Sequence, residues 1–554
     1  MAFFHGVRSS EVPTSLLSPV EVDSVITVAW GTAPIHLAKN PAKANEPILC
    51  YELAEYVNKF GDSDDFDKYT LAEVASSQFQ LYRVAPTIFI NVLDPDKHYN
   101  ERTITQAASL NNPIELNTPM LLDTLKITSD GTETLTLTEN VEYEITTDTT
   151  TSDTTISILA NVTLPSNSIA IEYTDSSTAV VSTDVSVAAL PYILPVGATN
   201  LKITCDKPFT NILVRDEDFT AKYNDSNKVV ITFLDDAKIV DESVTIAWHE
   251  LDPTQVTSAD IIGGVDSDGN STGVELIEEI YPRFRVLPGI LIAPKYSTAP
   301  EVAAALKAKC TQINEVFNAI AIVDIPADLP YTEVAEWKNQ KNLVDTSLIV
   351  CYPKVSLGGV QYHLSTQLAG LIATVDSDND DVPFVSPSNK NLQMDSSVLA
   401  DGTEQFLSLK QANYLNSQGI TTALNFSQGW VAWNNYMSIY PSSSDPRECF
   451  IPIRRMFNFI SNTIVTTYFQ RVDFPLTQRL LETVTDSINI WLNGLTAKGA
   501  LLGGRCEVLG TENPTTDLMG GIIRFHLFIT PPSPAQELSF ILEYDPSYIA
   551  ELVA

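Results

Sequence analysis

Basic residues are scarce in this chain: 33 Lys and Arg stand against 69 Asp and Glu, for a formal net charge of -36. A surface of that sign repels a phosphate backbone, which excludes nucleic acid as a natural partner. The charge reads as a soluble acidic surface, with a cation store as the alternative. Cysteine is thin too. Cys50, Cys205, Cys310, Cys351, Cys449 and Cys506 form no CxxC and no clustered framework, the pattern of buried free thiols in a reducing compartment. No run reaches the roughly 18 apolar residues of a membrane span. Residues 1–10 lack the basic start and apolar stretch of a secretory signal, so folding in cytoplasm without direct membrane insertion is expected.

Recognisable chemistry is also missing. There is no GxGxxG, phosphate-binding loop, HExxH or paired CxxC, and the six histidines are scattered singly. Asp376, Asp378 and Asp380 have the alternate-residue spacing of a calcium loop, as do Asp266, Asp268 and Asn270. Neither set has Gly at the sixth position or Glu at the twelfth, so both read as solvated loops, and no metal or cofactor is expected. Asp324 ends an apolar strand, where doubly wound enzymes place ligand-binding groups. With no His, Lys or glycine-rich partner near it in the sequence, it reads as a cap on the next helix or the partner of a base. Arg454 and Arg455, on an otherwise apolar helix, read as an interface ion-pair site or as a solvated helix face.

What the chain does have is strand and helix grammar over 554 residues, too many for one core. Residues 25–30 (VITVAW) and 87–93 are continuous apolar runs of buried strands, with helical patterns at 51–60 and 71–81 between them. From about residue 100 to 250 the composition turns to Thr, Ser, Asp and Val in dense alternation. A weak repeat, 135–174 against 212–249, suggests two tandem β modules, with 146–155 as a polar hairpin tip. The α/β grammar then returns. Apolar runs at 289–293, 319–324 and 346–352 alternate with helical patterns at 301–317 and 331–341. Further helices are expected at 361–373, 405–416, 451–469 and 476–495. The expected architecture is an α/β core with a doubly wound-like sheet (24–99 and 253–440), split by two inserted all-β modules (100–188 and 189–252). An α+β C-terminal domain follows at 441–535, with extended arms at 1–23 and 536–554.

The last stretch is the most informative. Leu538, Phe540, Leu542 and Tyr544 alternate with Glu537, Ser539, Ile541 and Glu543, the pattern of a strand with one buried face. Pro531-Pro532-Ser533-Pro534 separates it from a strand at 525–530, because prolines cannot donate backbone hydrogen bonds. Tyr548, Ile549 and Leu552 extend an apolar tail that frays or finds a sheet edge, its own or a neighbour's. The N-terminal arm, with Phe4, Val7, Val12, Leu16 and Leu17, is equally uncommitted.

In order along the chain, several segments resemble the contractile tail sheath proteins of myophages and related R-type bacteriocin-like injection particles. They are HGVRSSEVP at the start, Gly31-Thr32-Ala33-Pro34, Lys59-Phe60-Gly61, and Asp376 with Pro387 and Asn389. Beyond these come Leu415 to Ile420 with Trp433, Arg454-Arg455 with Phe459-Ile460, and Pro531 to Phe540. Two positions depart from the pattern: Asn434 stands where Gly is usual, and Thr421 where Asn is frequent. The resemblance covers residues 1–95 and 255–554 and leaves the β modules as variable insertions.

The resemblance implies a non-enzymatic structural subunit without a cofactor, stacked with copies of itself as hexameric rings around an inner tail tube protein. Baseplate and tail terminator proteins would be its partners at the ends. Its N- and C-terminal arms would be exchanged between subunits, and contraction from a metastable state would drive the tube through an envelope. It would reside in a virion tail or an extracellular contractile particle after assembly in the bacterial cytoplasm. Two other readings rest on the residues alone: a doubly wound enzyme with β-rich binding modules around Asp324, and a surface adhesin.

Overall fold

The computed structural model describes residues 25–545, except 108–112, 148–153, 161, 166–167, 175–179, 187–191, 195–198, 225, 235–238, 240–242, 266, 268 and 428. The chain divides into two compact units, one of residues 1–98 and 253–554 and one of residues 99–252.

In the first unit, β1 (Thr27–Gly31) runs parallel to β3 (Thr87–Asn91), and β2 (Pro47–Cys50) closes that side antiparallel to β3. All five residues of β1 and of β3 are buried, which is why they read as unbroken apolar runs rather than alternating ones. Between β2 and β3 lie α1 (Leu53–Phe60) and α2 (Thr70–Ala75), the latter continued by a π-helical stretch, Ser76–Tyr82. Tyr56 and Phe60 of α1 pack on Phe89 of β3, with ring centroids 4.8 and 6.0 Å away.

The second unit departs from two tandem modules. Its strands are β4 (Tyr99–Ala107), β5 (Ile114–Leu116), β6 (Lys126–Thr136), β7 (Tyr143–Thr147), β8 (Thr154–Ile158) and β9 (Ser168–Thr174). They continue as β10 (Val180–Ser186), β11 (Tyr192–Leu194), β12 (Thr199–Leu213), β13 (Phe219–Tyr223), β14 (Val229–Phe233) and β15 (Ser243–Leu251). One sheet runs β10-β9-β12-β6-β15-β4, and smaller ones run β11-β8-β7 and β13-β14-β5. Each sheet mixes strands from both sides of residue 188, so no boundary lies there. Alternation shows that a segment is a strand, not which partner it takes. Ile127, Leu213, Phe219, Phe233, Ile246 and Trp248, drawn from both halves of the unit, share one core.

On return to the first unit, the chain adds β16 (Ile290–Ile292), β17 (Ile320–Asp324), β18 (Leu348–Cys351), β19 (Ile420–Asn425) and β20 (Trp430–Trp433). The sheet order is β2-β3-β1-β16-β17-β18-β19-β20, with only β2 and β20 antiparallel to their neighbours. The segments before and after the insertion therefore build one sheet, joined where β1 pairs with β16. Helices α3 (Pro300–Ala308), α4 (Tyr331–Gln340), α5 (Leu364–Ser377) and α6 (Leu409–Asn416) connect these strands. The helix expected to reach residue 317 stops at Ala308: Cys310, Ile313 and Phe317 keep the helical spacing and are buried, but positive φ at Gln312, Asn314 and Glu315 folds them into a turn. The helix expected from 361 begins at Leu364, after a short strand at Val360–Tyr362.

Two long helices follow, α7 (Ile451–Tyr468) and α8 (Gln478–Ala497). Pro452 fits the first turn of α7, where its missing N–H is no loss, and Thr477 caps α8 through Leu480 N. Their apolar faces enclose Met456, Phe459, Ile460, Ile488, Trp491 and Leu492, and β21 (Gly503–Glu507) with β22 (His526–Thr530) forms an antiparallel pair beside them.

The glycine that ends α1 has φ 78° and ψ 177°, a region essentially reserved for glycine, and a Cβ there would lie 2.3 Å from the Pro34 carbonyl oxygen. Gly61→Ala should therefore lower the unfolding free energy by about 2–3 kcal/mol in urea titration. An unchanged midpoint would show that the turn relaxes freely.

Candidate assembly surface

The segments singled out in the sequence prove to touch one another. Thr32 of the Gly-Thr-Ala-Pro loop donates to the Lys68 carbonyl (2.6 Å), and Thr32 and Thr70 each accept the other's backbone N–H on their hydroxyls (3.3 Å). Ala33 N–H is held by the Asn91 carboxamide at 3.1 Å. The Phe-Gly turn packs on this same loop through Gly61. Asn389 donates its backbone N–H to Ala432 O (2.7 Å), and Ala432 N–H returns to Lys390 O (3.0 Å), so residues 389–390 cover the outer edge of β20.

Asn434 and Thr421, the two departures from the family pattern, are one contact. Both are buried, and the Asn434 carboxamide donates to Thr421 Oγ1 (3.0 Å) and to the Tyr436 carbonyl (2.7 Å).

Of the two arginines expected at an interface, Arg455 is committed inside the fold. Arg455 is buried and makes a two-pronged bridge to buried Asp376, with Nη1 to Oδ1 at 2.9 Å and Nη2 to Oδ2. Arg454, half-buried, donates to Asn458 Oδ1 at 2.8 Å. Asp376 therefore belongs to no solvated loop, and Asp380 lies 3.4 Å from Lys498. Among the described residues no cluster of three or more metal-ligating side chains occurs, and Asp266 and Asp268 lie outside them.

Asp324 is spent on structure as well. Its carboxylate accepts the Ser365 N–H (2.9 Å) and the Ser365 hydroxyl at the start of α5. Burial pushes its carboxyl up, while His363 and the two Ser365 bonds pull against that. Beside it, fully buried Glu73 accepts the His363 N–H (2.5 Å) and faces His363 Nδ1 (2.8 Å). Every polar atom of Asp324 is aimed at the fold, not at a cleft. Gly269-Asn270-Ser271-Thr272-Gly273 has nucleophile-elbow spacing, but Ser271 lies opposite Val265 in a short hairpin and the Thr272 hydroxyl is spent on Gly264.

Lys338 of α4, 1% exposed, donates to three backbone carbonyls: Gln418 (2.5 Å), Ser438 (2.7 Å) and Tyr440 (3.3 Å). Gly419 sits against this ammonium with φ 67°, and a Cβ there would meet the Tyr440 and Met437 carbonyls at 2.7 and 2.9 Å. Burial lowers the Lys338 pKa from its ordinary 10.5 to about 8.

The surface left uncommitted is the C-terminal stretch. Residues 538–544 form no strand here, which corrects the expectation of a folded one. Leu538 is 73% exposed, Phe540 85%, Ile541 94%, Leu542 95% and Tyr544 76%, so neither face is covered. Residues with strand-forming alternation thus have no strand partner among the described residues. Of the β21–β22 pair, one edge is closed and one open. The Asn489 carboxamide accepts Cys506 N–H (2.7 Å) and donates to Cys506 O (3.1 Å), sealing the outer edge of β21, while β22 has no second strand among the described residues. The turn between α7 and α8 exposes Phe469, Val472 and Phe474. Phe4, Val7, Val12, Leu16, Leu17, Tyr548, Ile549 and Leu552 lie outside the described residues.

No family model matches the chain. It is 30% identical over 319 residues to the tail sheath protein of Burkholderia phage BcepMu, across 54% of this chain and 64% of the relative, so it spans less than two thirds of that protein's length. It is 26% identical over 306 residues to the major tail sheath protein of Serratia phage KSP20, across 54% of this chain and 74% of the relative. Among solved structures, the helical sheath of the anti-feeding prophage in its contracted state matches with a TM-score of 0.50 at 14% identity, over 98% of this chain and 100% of that one. At that identity the likeness is one of fold. The curated relatives are structural tail proteins, not enzymes.

Removing one member of the buried bridge, by Asp376→Asn or Arg455→Met, should cost about 3–5 kcal/mol in denaturant unfolding. The paired change Asp376→Leu with Arg455→Met should recover much of the loss, and single variants that match wild type would show the bridge to be dispensable. For Lys338, the folded-state pKa is the lower one, so the unfolded chain binds this proton more tightly between pH 8 and 10.5. Folding stability attributable to Lys338 should therefore rise through that window, by up to about 3 kcal/mol, and be lost as pH falls through 8. The difference in unfolding free energy between wild type and Lys338→Met should move in favour of wild type from pH 8 to 10.5. A flat difference would exclude the lysine as the titrating group.

Proposed function

We propose that this relative of the phage tail sheath proteins is itself a structural subunit of a contractile sheath, polymerising as stacked hexameric rings around an inner tail tube. The observation that carries the proposal is the segment 538–544, whose apolar side chains stand in water uncovered by any of the described residues. Contiguous exposed apolar surface on a strand-forming segment marks an association site. The natural receiver is a sheet edge of a second copy, and the open edge of β22 is one that this unit offers. Each arm, about 33 Å long for ten extended residues, reaches an adjacent subunit. Its backbone hydrogen bonds, worth about 0.5–1.5 kcal/mol each, are repeated at every subunit.

Exchanged arms of this kind keep subunits connected while the compact unit moves as a body. Contraction then needs no nucleotide: a metastable extended lattice releases free energy as subunits repack into a shorter, wider helix, driving the tube through a target envelope. The α8 helix, with the apolar turn before it, is our candidate for the tube contact, and baseplate and terminator proteins would hold the two ends. The particle would be a virion tail or an extracellular contractile device, assembled in bacterial cytoplasm.

Purified protein should form hollow striated tubes or ring stacks by electron microscopy, and deletion of residues 536–554 should leave soluble subunits that no longer polymerise. Tubes that survive the deletion would refute arm exchange.

A further inference from the structure

Burial falls away along the root of the C-terminal segment. Pro531 is buried, Pro532 and Pro534 are half-buried, and every residue from Ala535 to Asp545 is exposed. Residues 532–538 run along a groove of about 910 Å3 whose opposite walls include Phe384, Asn389, Asn413, Asn416 and Trp433. Prolines at three of the four root positions make that part of the chain stiff. Within residues 531–544 the outermost side-chain bond to the body of the unit is the one that Tyr436 Oη donates to Gln536 Oε1 at 2.7 Å.

Tyr436 itself is held on every side but that one. Its ring stacks on Tyr440 with centroids 3.8 Å apart and planes 4° from parallel, and on Phe450 at 5.2 Å. Its backbone N–H is accepted by Asn434 Oδ1 (2.9 Å), and the Tyr440 carbonyl beneath it is one of the three that Lys338 binds. The hydroxyl is thus presented from a rigid post. Burial, and then Tyr440, push its pKa up, so it stays protonated and able to donate.

We infer that Tyr436 is a positioning residue and that its contact with Gln536 is the pivot of the exchanged arm: the groove holds residues 532–536, and only the chain from Glu537 onward swings to another subunit. This rests on the arm-exchange reading above and adds where the moving part begins. A stiff root fixed at one point sets the direction in which residues 538–545 leave, and so limits which neighbour they can meet. Fixing the root also reduces the conformational freedom that an arm loses on capture.

The test uses full-length subunits held below the polymerisation threshold, with Cys205→Ser and a spin label at Ala535→Cys or Ser539→Cys; Cys50, Cys310, Cys351, Cys449 and Cys506 are buried. The label at 535 should be restrained and that at 539 mobile. Tyr436→Phe, which keeps the ring stack, and Gln536→Leu, at an exposed site, should each reduce the restrained fraction relative to the free one about fivefold, as for one hydrogen bond. The double variant should be no worse than either. Equal mobility at 535 and 539 in the wild type, or no change on Tyr436→Phe, would overturn the pivot. In assembly assays Tyr436→Phe should raise the threshold concentration. Polymer formation by the 536–554 deletion would instead refute arm exchange and leave the mobility result standing.

Discussion

The bridge between Asp376 and Arg455 takes two charges out of water, 79 positions apart, and each would be costly to bury there without the other. Asp376 ends α5, the helix over the parallel sheet, and Arg455 lies in the first turns of α7, which opens the C-terminal helical layer. Locking those two helices gives the apolar faces of α7 and α8 a fixed place on which to close their own core. The β21–β22 pair, and the chain that leaves it at Pro531, inherit their position from that core. An arm can be passed to a neighbour with a defined direction only if the body that throws it is rigid, and the bridge is where that rigidity enters.

The other recognisable residues follow the same logic. The Gly-Thr-Ala-Pro loop is held by Thr70 and Asn91 and packed by the Phe-Gly turn; Asn434 answers Thr421; Lys338 gathers three carbonyls. These residues are paired off with one another, which is how a set of short, individually weak motifs carries a resemblance through order alone. It also accounts for the missing chemistry. Asp324 stands at the carboxyl end of a central parallel strand, where such folds place reactive groups, but Ser365 occupies both of its oxygens.

The strands of the central sheet were legible because burial on both faces leaves unbroken apolar runs such as Thr87–Asn91 and Leu348–Cys351. The long helices were legible from their spacing. Partnership was not legible. Nothing local to Arg455 announces Asp376, and a calcium-like spacing drew that aspartate to the wrong environment. Alternation in residues 99–252 identified strands but could not show that β12 would pair with both β9 and β6. In the C-terminal segment the pattern was visible and its isolation was not, because an unsatisfied strand and a satisfied one have the same side-chain order.

The unit at 99–252 begins and ends on one antiparallel ladder, with Tyr99 directly opposite Leu251. To the rest of the chain, the 154-residue unit or a short turn in its place would present the same pair of neighbouring ends. The entropic cost of a longer excursion grows by only about 0.6 kcal/mol per doubling. Inheritance can therefore treat this stretch as a cassette: lost, lengthened or replaced in one event, without a compensating change in the residues of the other unit. A lineage so built is free to vary its cargo while its chassis stays under constant selection.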